Sequence, residues 1–499
     1  MKAGSRTLLG EGEEIPMKRI LMSGLGLIIG IYVCGCSAGS TGSTTPTPTP
    51  TANATVNMVV TDTLPTSITV LSFQVQITGA VLQPGSVSLL PRPVTVDLAQ
   101  LATDTGFLAS TVIDSGTFTS LTMTFANPQV TILNNRPTAI TVAGTTCAPG
   151  AVCTISPALN NASVTISSGV FPITIAANST TGLSLDLSIP DLLQSDLSIT
   201  LANGTSLNLS LLPAPASGTS EQAKVDDVFG TITSISGNQI GMTTALGDSL
   251  VLTSSSSTAY NYPSSVCSSA SSSCVSVGQV VTTDLSLLGD GSLAVNAVSY
   301  AGGSGAQAVK GLVLSIDTSA ATPTMSLLVQ RSVNMTSLTA GEIATVTLPA
   351  GMTYALGTAN FPAVSGAAFS NATNLIPGQE VVVDAGSDVV IGSTPSFTAT
   401  AAYLESSQLI GAVSSIDTAQ SSFAMNGLSA LFTQTGLGIK QMDVQTGAAT
   451  SFVGFSSASL SALSDGDFIA VKGPLFNTVG TAGIPTVGAI ELLKRTQGN

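Results

Sequence analysis

The feature that most constrains this chain is the run of short segments in which apolar and polar residues alternate at a period of two. "SITVLSFQVQITGAVLQ", "VTVDLAQL", "LTMTFANPQVTIL", "SVTISSGVFPITIAA" and "LSLDLSI" are of this kind. Each is rich in Val, Ile, Thr or Leu and is bounded by Gly, Pro, Asn or Ser, the pattern of half-buried strands. No stretch sustains a period of 3.6, and "LDLSIPDLLQSDLS" offers at most one helical turn. The expected fold is all-β: an N-terminal sandwich, then three small barrel-like repeats, after a signal peptide and a Thr/Pro-rich linker.

Composition narrows the function classes. Of 499 residues only 8% are charged, with 13 Lys+Arg against 27 Asp+Glu. Clustered Lys and Arg are what nucleic acid demands, and they are missing, so no nucleic-acid partner is expected. The same sparse acidic balance disfavours electrostatic docking on anionic lipid. His and Trp are both absent. Without His there is no Ser-His-Asp or Cys-His relay and no His-ligated zinc.

The N-terminus reads as an address. Residues 1–16 contain "EGEEIP", too acidic for a signal peptide, whereas Met17-Lys18-Arg19 makes a basic start before the apolar run "ILMSGLGLIIGIYV" from Ile20 to Val33. That run suits a signal peptide and is short of the ~20 residues that span a bilayer. Met17 is therefore the expected start. The junction "VCGCS" then resembles a bacterial lipoprotein signal. Gly35 supplies the small residue before Cys36, while Val33 before Cys34 fits poorly. The resemblance implies cleavage after residue 35, acylation of Cys36 and, with Ser37 rather than Asp following, sorting to the outer membrane. Two or three acyl chains supply the multiple signals that stable attachment requires.

The expected organisation follows from changes in texture. Residues 1–35 are the signal peptide and 36–55 the lipidated N-terminus with its tether, whose alternating Thr-Pro favours extended polyproline II. Residues 56–215 form the sandwich, and "PAPASGTSEQAK" from Pro213 to Lys224 reads as a linker. Beyond it three segments open alike: "GTITSIS" from Gly230, "GLVLSID" from Gly311 and "GAVSSID" from Gly411. Each later reaches a turn centred on Gly278, Gly378 or Gly466, then a closing strand: "LAVNAVSY", "FTATAAYLE" or "TVGAIELL". The repeats are placed at 225–302, 307–406 and 408–495.

Two resemblances accompany this reading. Thr61, Asp62 and Pro65, then Asp97 and Leu98, then Gly116, Phe118, Leu121 and Met123 are similar to the family called domain of unknown function 4382, over about 70 residues. This chain departs from it by an extra residue before Pro65 and by Phe118 in place of Tyr. That family implies a β-sandwich envelope lipoprotein without an established activity. The three repeats resemble the family called domain of unknown function 5666, which implies small closed barrels. Closure removes exposed strand edges, which matters for a chain so short of charge.

Candidate chemistry is sparse. Cys147 and Cys153 flank one short loop and Cys267 and Cys274 another, which in an exported chain reads as two local disulfides. The spacing matches neither a zinc site nor C-x-x-C redox chemistry. Asp226-Asp227, Asp290 and the pair Asp465 and Asp467 are the carboxylate clusters, none with calcium-loop spacing, and "GDGS" at Gly289 reads as a hairpin turn. Tyr260, Tyr262 and Pro263 beside Cys267 read as an ordinary loop rather than a contact patch. "GSGAQAVKG" near Gly303 lacks the Lys-Ser/Thr of a phosphate loop. No catalytic residue, cofactor or metal site is expected. The expectation is a non-enzymatic envelope protein. Its partners are the membrane, through its lipid, and an unidentified envelope protein or glycan. The alternatives are a periplasmic adaptor of a trans-envelope complex and a histidine-independent envelope enzyme.

Overall fold

The computed structural model describes residues 53–494 apart from 63–68, 103–104, 195, 205, 216–222, 336, 359, 387–388, 393, 435–437 and 478–483. The signal peptide, Cys36 and nearly all of the tether lie outside the described residues, as do Pro65 and most of the expected linker.

The chain is all-β, and its first part is a sandwich. One sheet runs in the order Leu209–Pro213, Thr180–Leu187, Asn53–Asp62, Gly106–Asp114. The other is built on two long paired strands, Thr69–Gln83 and Ser120–Leu133, with Val94–Asp97 and Val152–Ile155 on their flanks. The first strand shows why alternation matters. Val56, Met58 and Val60 point into the sandwich with Phe73, Ile77, Met123 and Phe125. Val59, on the opposite face, joins Phe107 in the core of the next domain. At Met58, Val59 and Val60 both faces of this strand are buried, which explains the unbroken apolar run "MVV". Leu121, Met123 and Phe118, the residues behind the first family resemblance, are all core residues. The expected helical turn is present as Ile189–Leu192.

Three barrels follow. In the first, Lys224–Ser236, Gln239–Thr244 and Ser249–Thr253 form a meander, and Val280–Leu287 pairs with both Lys224–Ser236 and Leu293–Gly302. Parallel pairing of Thr253 with Ala294 closes the five-stranded ring. In the second, Gln307–Asp317, Thr324–Val333, Ile343–Thr347, Glu380–Ala385 and Ser396–Leu404 repeat the arrangement and close through Val346 and Phe397. In the third, Ser406–Asp417, Ser422–Asn426, Gln441–Gln445 and Phe468–Phe476 make the corresponding pairings, but the last strand is split into Thr486–Gly488 and Glu491–Lys494.

The repeat is legible atom by atom. At Gly230, Gly311 and Gly411 a Cβ would collide with the carbonyl of the adjacent strand, at Thr243, Leu328 and Asn426 respectively. Only glycine lets the opening strand come so close. The turn glycines Gly278, Gly378 and Gly466 all have φ of +89°. Each donates its N–H at 2.8 Å to the opening strand, at Ile232, Val313 and Val413. The next residue then fixes the turn with its side chain. Gln279 Oε1 accepts from Ser276 N–H, Gln379 Oε1 from Ile376 N–H, and Asp467 Oδ2 from Ser464 N–H. Three copies of one device, at matching places in three sheets, are a structural repeat.

The domains are not beads on a string. Thr105 forms a parallel bridge with Val225, Arg92 pairs with Asp248 at 3.1 Å, and Asn57 Nδ2 donates to Gly291 O at 2.7 Å, all joining sandwich to first barrel. Tyr300 of the first barrel stacks edge-on with Tyr403 of the second at 5.5 Å. Gln379 of the second donates to Leu475 O of the third at 2.8 Å. Gln408 of the third donates to Gln100 O of the sandwich at 2.8 Å. A small cluster of Leu71, Leu133, Leu314, Leu328, Ala430 and Leu431 is shared by the sandwich, the second barrel and the third.

Candidate functional site

The densest chemistry lies where the three barrels meet, and it begins with a local irregularity. Between Val225 and Val228 the first barrel's opening strand slips register against Val280–Leu287, so Asp226 and Asp227 form a β-bulge. Asp227 has φ of +60°, a conformation Asp tolerates better than most residues. In a regular strand consecutive side chains point to opposite faces. The bulge instead lets both carboxylates reach cations of the neighbouring barrels.

Those cations are lysines of the other two repeats. Lys310 of the second barrel is 3% exposed and lies 2.8 Å from Asp227 Oδ2 and 3.4 Å from Glu380 Oε2. Lys472 of the third barrel lies 2.8 Å from Asp226 Oδ2 and 3.8 Å from Asp227 Oδ2. Lys224 returns the contact by pairing with Glu491 of the third barrel. Asp284, on the first barrel's second long strand, accepts the Asp227 N–H at 3.1 Å. Glu405, at the join of the second and third barrels, is 3% exposed.

Burial and charge set the protonation of these groups. Burial opposes ionisation of Asp227, but Lys310 and Lys472 outweigh it and hold its carboxyl below the usual range. Burial would lower Lys310, yet Asp227, Glu380 and Glu405 raise it above the ordinary lysine value. Burial pushes Glu380 up despite Lys310. Burial, reinforced by Asp226, pushes Asp284 up to about 7. Burial pushes Glu405 up to about 8 against the pull of Lys310.

Beside this junction is a cavity of about 70 Å³ between the sandwich and the barrels. Asp97, Gln100, Asp226, Asp227, Lys310, Arg331, Glu380 and Gln408 supply its polar wall. That is room for a few water molecules rather than an organic ligand. Asp97, one of the residues carrying the first family resemblance, accepts from Ser72 Oγ at 2.6 Å, Phe73 N–H at 2.8 Å and Ala99 N–H at 3.1 Å. Its role is to tie the 3-10 turn Leu98–Ala102 to the sandwich. Burial still raises its pKa against those bonds. Among the described residues no group of three or more Cys, Asp or Glu is arranged to hold a metal ion.

The residues singled out in the sequence fall in different places. Cys147 is joined to Cys153 and Cys267 to Cys274, with Cα separations of 5.8 and 5.6 Å that a disulfide spans without backbone movement. They lie in separate domains and share no site. Asp290 caps its own turn by accepting from Ser292 N–H and Oγ. Asp467 serves the third repeat's glycine turn and pairs with Lys494 at 3.1 Å, while Asp465 is exposed. Tyr262 is buried, packs 5.6 Å from Tyr300 and donates to Gln279 Oε1 at 3.2 Å, so it is core rather than contact surface. Gly303 lies in the connection into strand Gln307–Asp317, not before a helix. The junction was half visible: the Asp226-Asp227 pair stands out, but Lys310, Glu380, Glu405 and Lys472 look like isolated charges. The available signal was their rarity. In a chain with 8% charge, a lysine inside an apolar strand such as "AVKGLVLSI" has a reason to be there.

Comparison of the chain with protein-family models and with curated proteins returned no match.

Proposed function

We propose that this chain is an exported, lipid-anchored protein of the bacterial cell envelope. Its folded part is a non-catalytic scaffold that holds four β domains in one arrangement. The observation that carries this reading is the Asp226-Asp227 bulge, tied to lysines of both other barrels. A truncated partner in such a cluster leaves a buried charge unpaired, so alternative arrangements of the barrels are strongly disfavoured. A fixed composite surface suits binding or structural support of an envelope protein or glycan. Buried carboxylates engaged with lysines and backbone do not present themselves to a substrate. The two disulfides suit an oxidising compartment. The N-terminal sequence supplies the address: the signal run, the acylated Cys36 and a Thr-Pro spacer that keeps the domains off the outer membrane.

The test is metabolic labelling with a palmitate analogue in a Gram-negative host, followed by membrane fractionation. The chain should label and sediment with the outer membrane, and Cys36→Ala should abolish both. Labelling and fractionation unchanged by Cys36→Ala would sink the anchor. Hydrolytic activity of the purified chain on envelope glycans or peptides would sink the non-catalytic reading.

A further inference from the structure

Lys310, Asp227 and Glu380 are placed so that they can react with one another. Lys310 and Glu380 stand on paired strands of the second barrel. Glu380 lies opposite Leu312, which makes it the diagonal neighbour of Lys310 on the same face of the sheet. Asp227 reaches that face from the first barrel, aimed by its bulge. Lys310 Nζ is 2.8 Å from Asp227 Oδ2 and 3.4 Å from Glu380 Oε2. The side chains of Lys310, Glu380 and Asp227 are only 4%, 8% and 18% exposed.

An amine and a carboxyl held this way are a nucleophile and an electrophile near attack distance, about 3–3.5 Å between reacting atoms. Two further observations favour their condensation. An ion pair withdrawn from water bears a desolvation cost that its attraction barely repays, whereas an amide carries no charge. Condensation also releases water, which opposes it in bulk solvent but not in an enclosed site. Lys310, Asp227 and Glu380 all line the cavity of about 70 Å³, which has apolar wall from Val60, Phe107 and Phe229 and room for the water released.

We propose that Lys310 and Asp227 condense into an intramolecular isopeptide bond, with Glu380 as proton carrier, so that the first and second barrels are joined covalently. One proton of the Lys310 ammonium moves along its hydrogen bond to Asp227 Oδ2, leaving an amine and a carboxylic acid. The Nζ lone pair attacks Asp227 Cγ and the C–N bond forms. Glu380 takes a second proton from Nζ and delivers it to the hydroxyl at Oδ2. The Cγ–Oδ2 bond then breaks and water leaves. One hydrogen stays on the amide nitrogen, nothing is oxidised or reduced, and Glu380 ends as it began. Mutual attraction raises Lys310 and holds Asp227 low, which favours the ionic pair, so the step is a slow maturation rather than part of folding. It occurs once per chain and involves no turnover. The bond goes beyond the scaffold reading and is independent of the anchor at Cys36.

The test is intact mass spectrometry of the exported chain carrying Cys36→Ala, folded until analysis and then denatured with both disulfides reduced. It is run on protein as purified and after prolonged incubation. The chain should come to weigh one water less than its sequence. Proteolysis should yield a branched peptide joining the segment that holds Lys310 to the segment that holds Asp227. Lys310→Arg and Asp227→Ala should restore the full mass, and Glu380→Gln should slow the loss by about 10²-fold or more. Full mass at both times overturns the bond. So does a missing water mapped to Asp290-Gly291 or Asp465-Gly466, where a succinimide removes the same mass, or a branch that joins Lys472 to Asp226 instead. A Glu380→Gln chain that links as fast as the parent overturns the proton-carrier assignment. Should the variants fail to fold, the branched peptide of the parent chain decides by its presence or absence.

Discussion

Lys310 Nζ of the second barrel lies 2.8 Å from Asp227 Oδ2 of the first, and Asp227 reaches it from a β-bulge with φ of +60°. A backbone irregularity in one repeat is thus matched to a buried cation in the next. Removing the cation leaves Asp227 and Glu380 without their shared partner in a low-dielectric site. Lys310→Met should therefore destabilise the chain by about 3–5 kcal/mol, the cost of breaking a buried pair from one side. Adding Asp227→Asn should recover part of that loss. Urea unfolding of both single variants and the double variant gives the coupling energy. A coupling near zero would mean that the pair does not hold the barrels.

Stability should fall, not rise, as the medium goes from mildly acidic to mildly alkaline. Asp284 and Glu405 have folded-state pKa values near 7 and 8, raised from ordinary carboxyl values near 4 in the unfolded chain. The folded state therefore binds more protons between about pH 4 and about pH 8, and its stability declines across that window. Asp227, held low by its lysines, acts oppositely, but its contribution is lost only as pH falls below the ordinary carboxyl range. Thermal unfolding should give a higher Tm near pH 5 than near pH 8.5. Asp284→Asn should flatten the profile, and a parent Tm that rises over this window would contradict the assignment.

The strands and the repeat were legible in the sequence because both rest on local rules. Period-two alternation reports one buried face, and the glycines at 230, 311 and 411 report a close approach that recurs in each copy. What was not legible depends on long-range placement. Asp226 and Lys472 are 246 residues apart, and no local pattern links them. Docking was likewise out of reach: strand Leu209–Pro213 ends on the first residue of the expected linker and strand Lys224–Ser236 starts on its last, and the Thr105–Val225 bridge joins sandwich to barrel. A Pro-, Ala- and Ser-containing stretch signals a connection but says nothing about whether the flanking domains touch.

The opening glycine of each repeat should be intolerant of even one methyl group. At Gly311 a Cβ would strike the Leu328 carbonyl and the Leu327 side chain, and neither a ladder carbonyl nor a core leucine can retreat. Gly311→Ala should cost about 1–3 kcal/mol, the range for overpacking a well-packed site. Gly305→Ala, with nothing within 4 Å of its added methyl, is the control and carries only the strain of its positive φ. Equal melting temperatures for the two variants would remove the close-approach explanation.

The two disulfides should stabilise their own domains independently. Each closes a short loop, with sequence separations of 6 and 7 residues, so the restriction of the unfolded chain is modest, roughly 2 kcal/mol apiece. The Cys147–Cys153 bridge lies in the sandwich and ties strand Thr145–Cys147 to strand Val152–Ile155, which pairs with Ser120–Leu133. The Cys267–Cys274 bridge lies in the first barrel, ahead of the Gly278 turn. Intact mass should increase by two hydrogens per bridge on reduction. The paired substitution Cys147→Ala, Cys153→Ala should lower stability without changing the effect of Cys267→Ala, Cys274→Ala, since sites this far apart add. Strong non-additivity would show that the sandwich and the first barrel unfold as one unit, coupled through the Thr105–Val225 bridge and the Arg92–Asp248 pair.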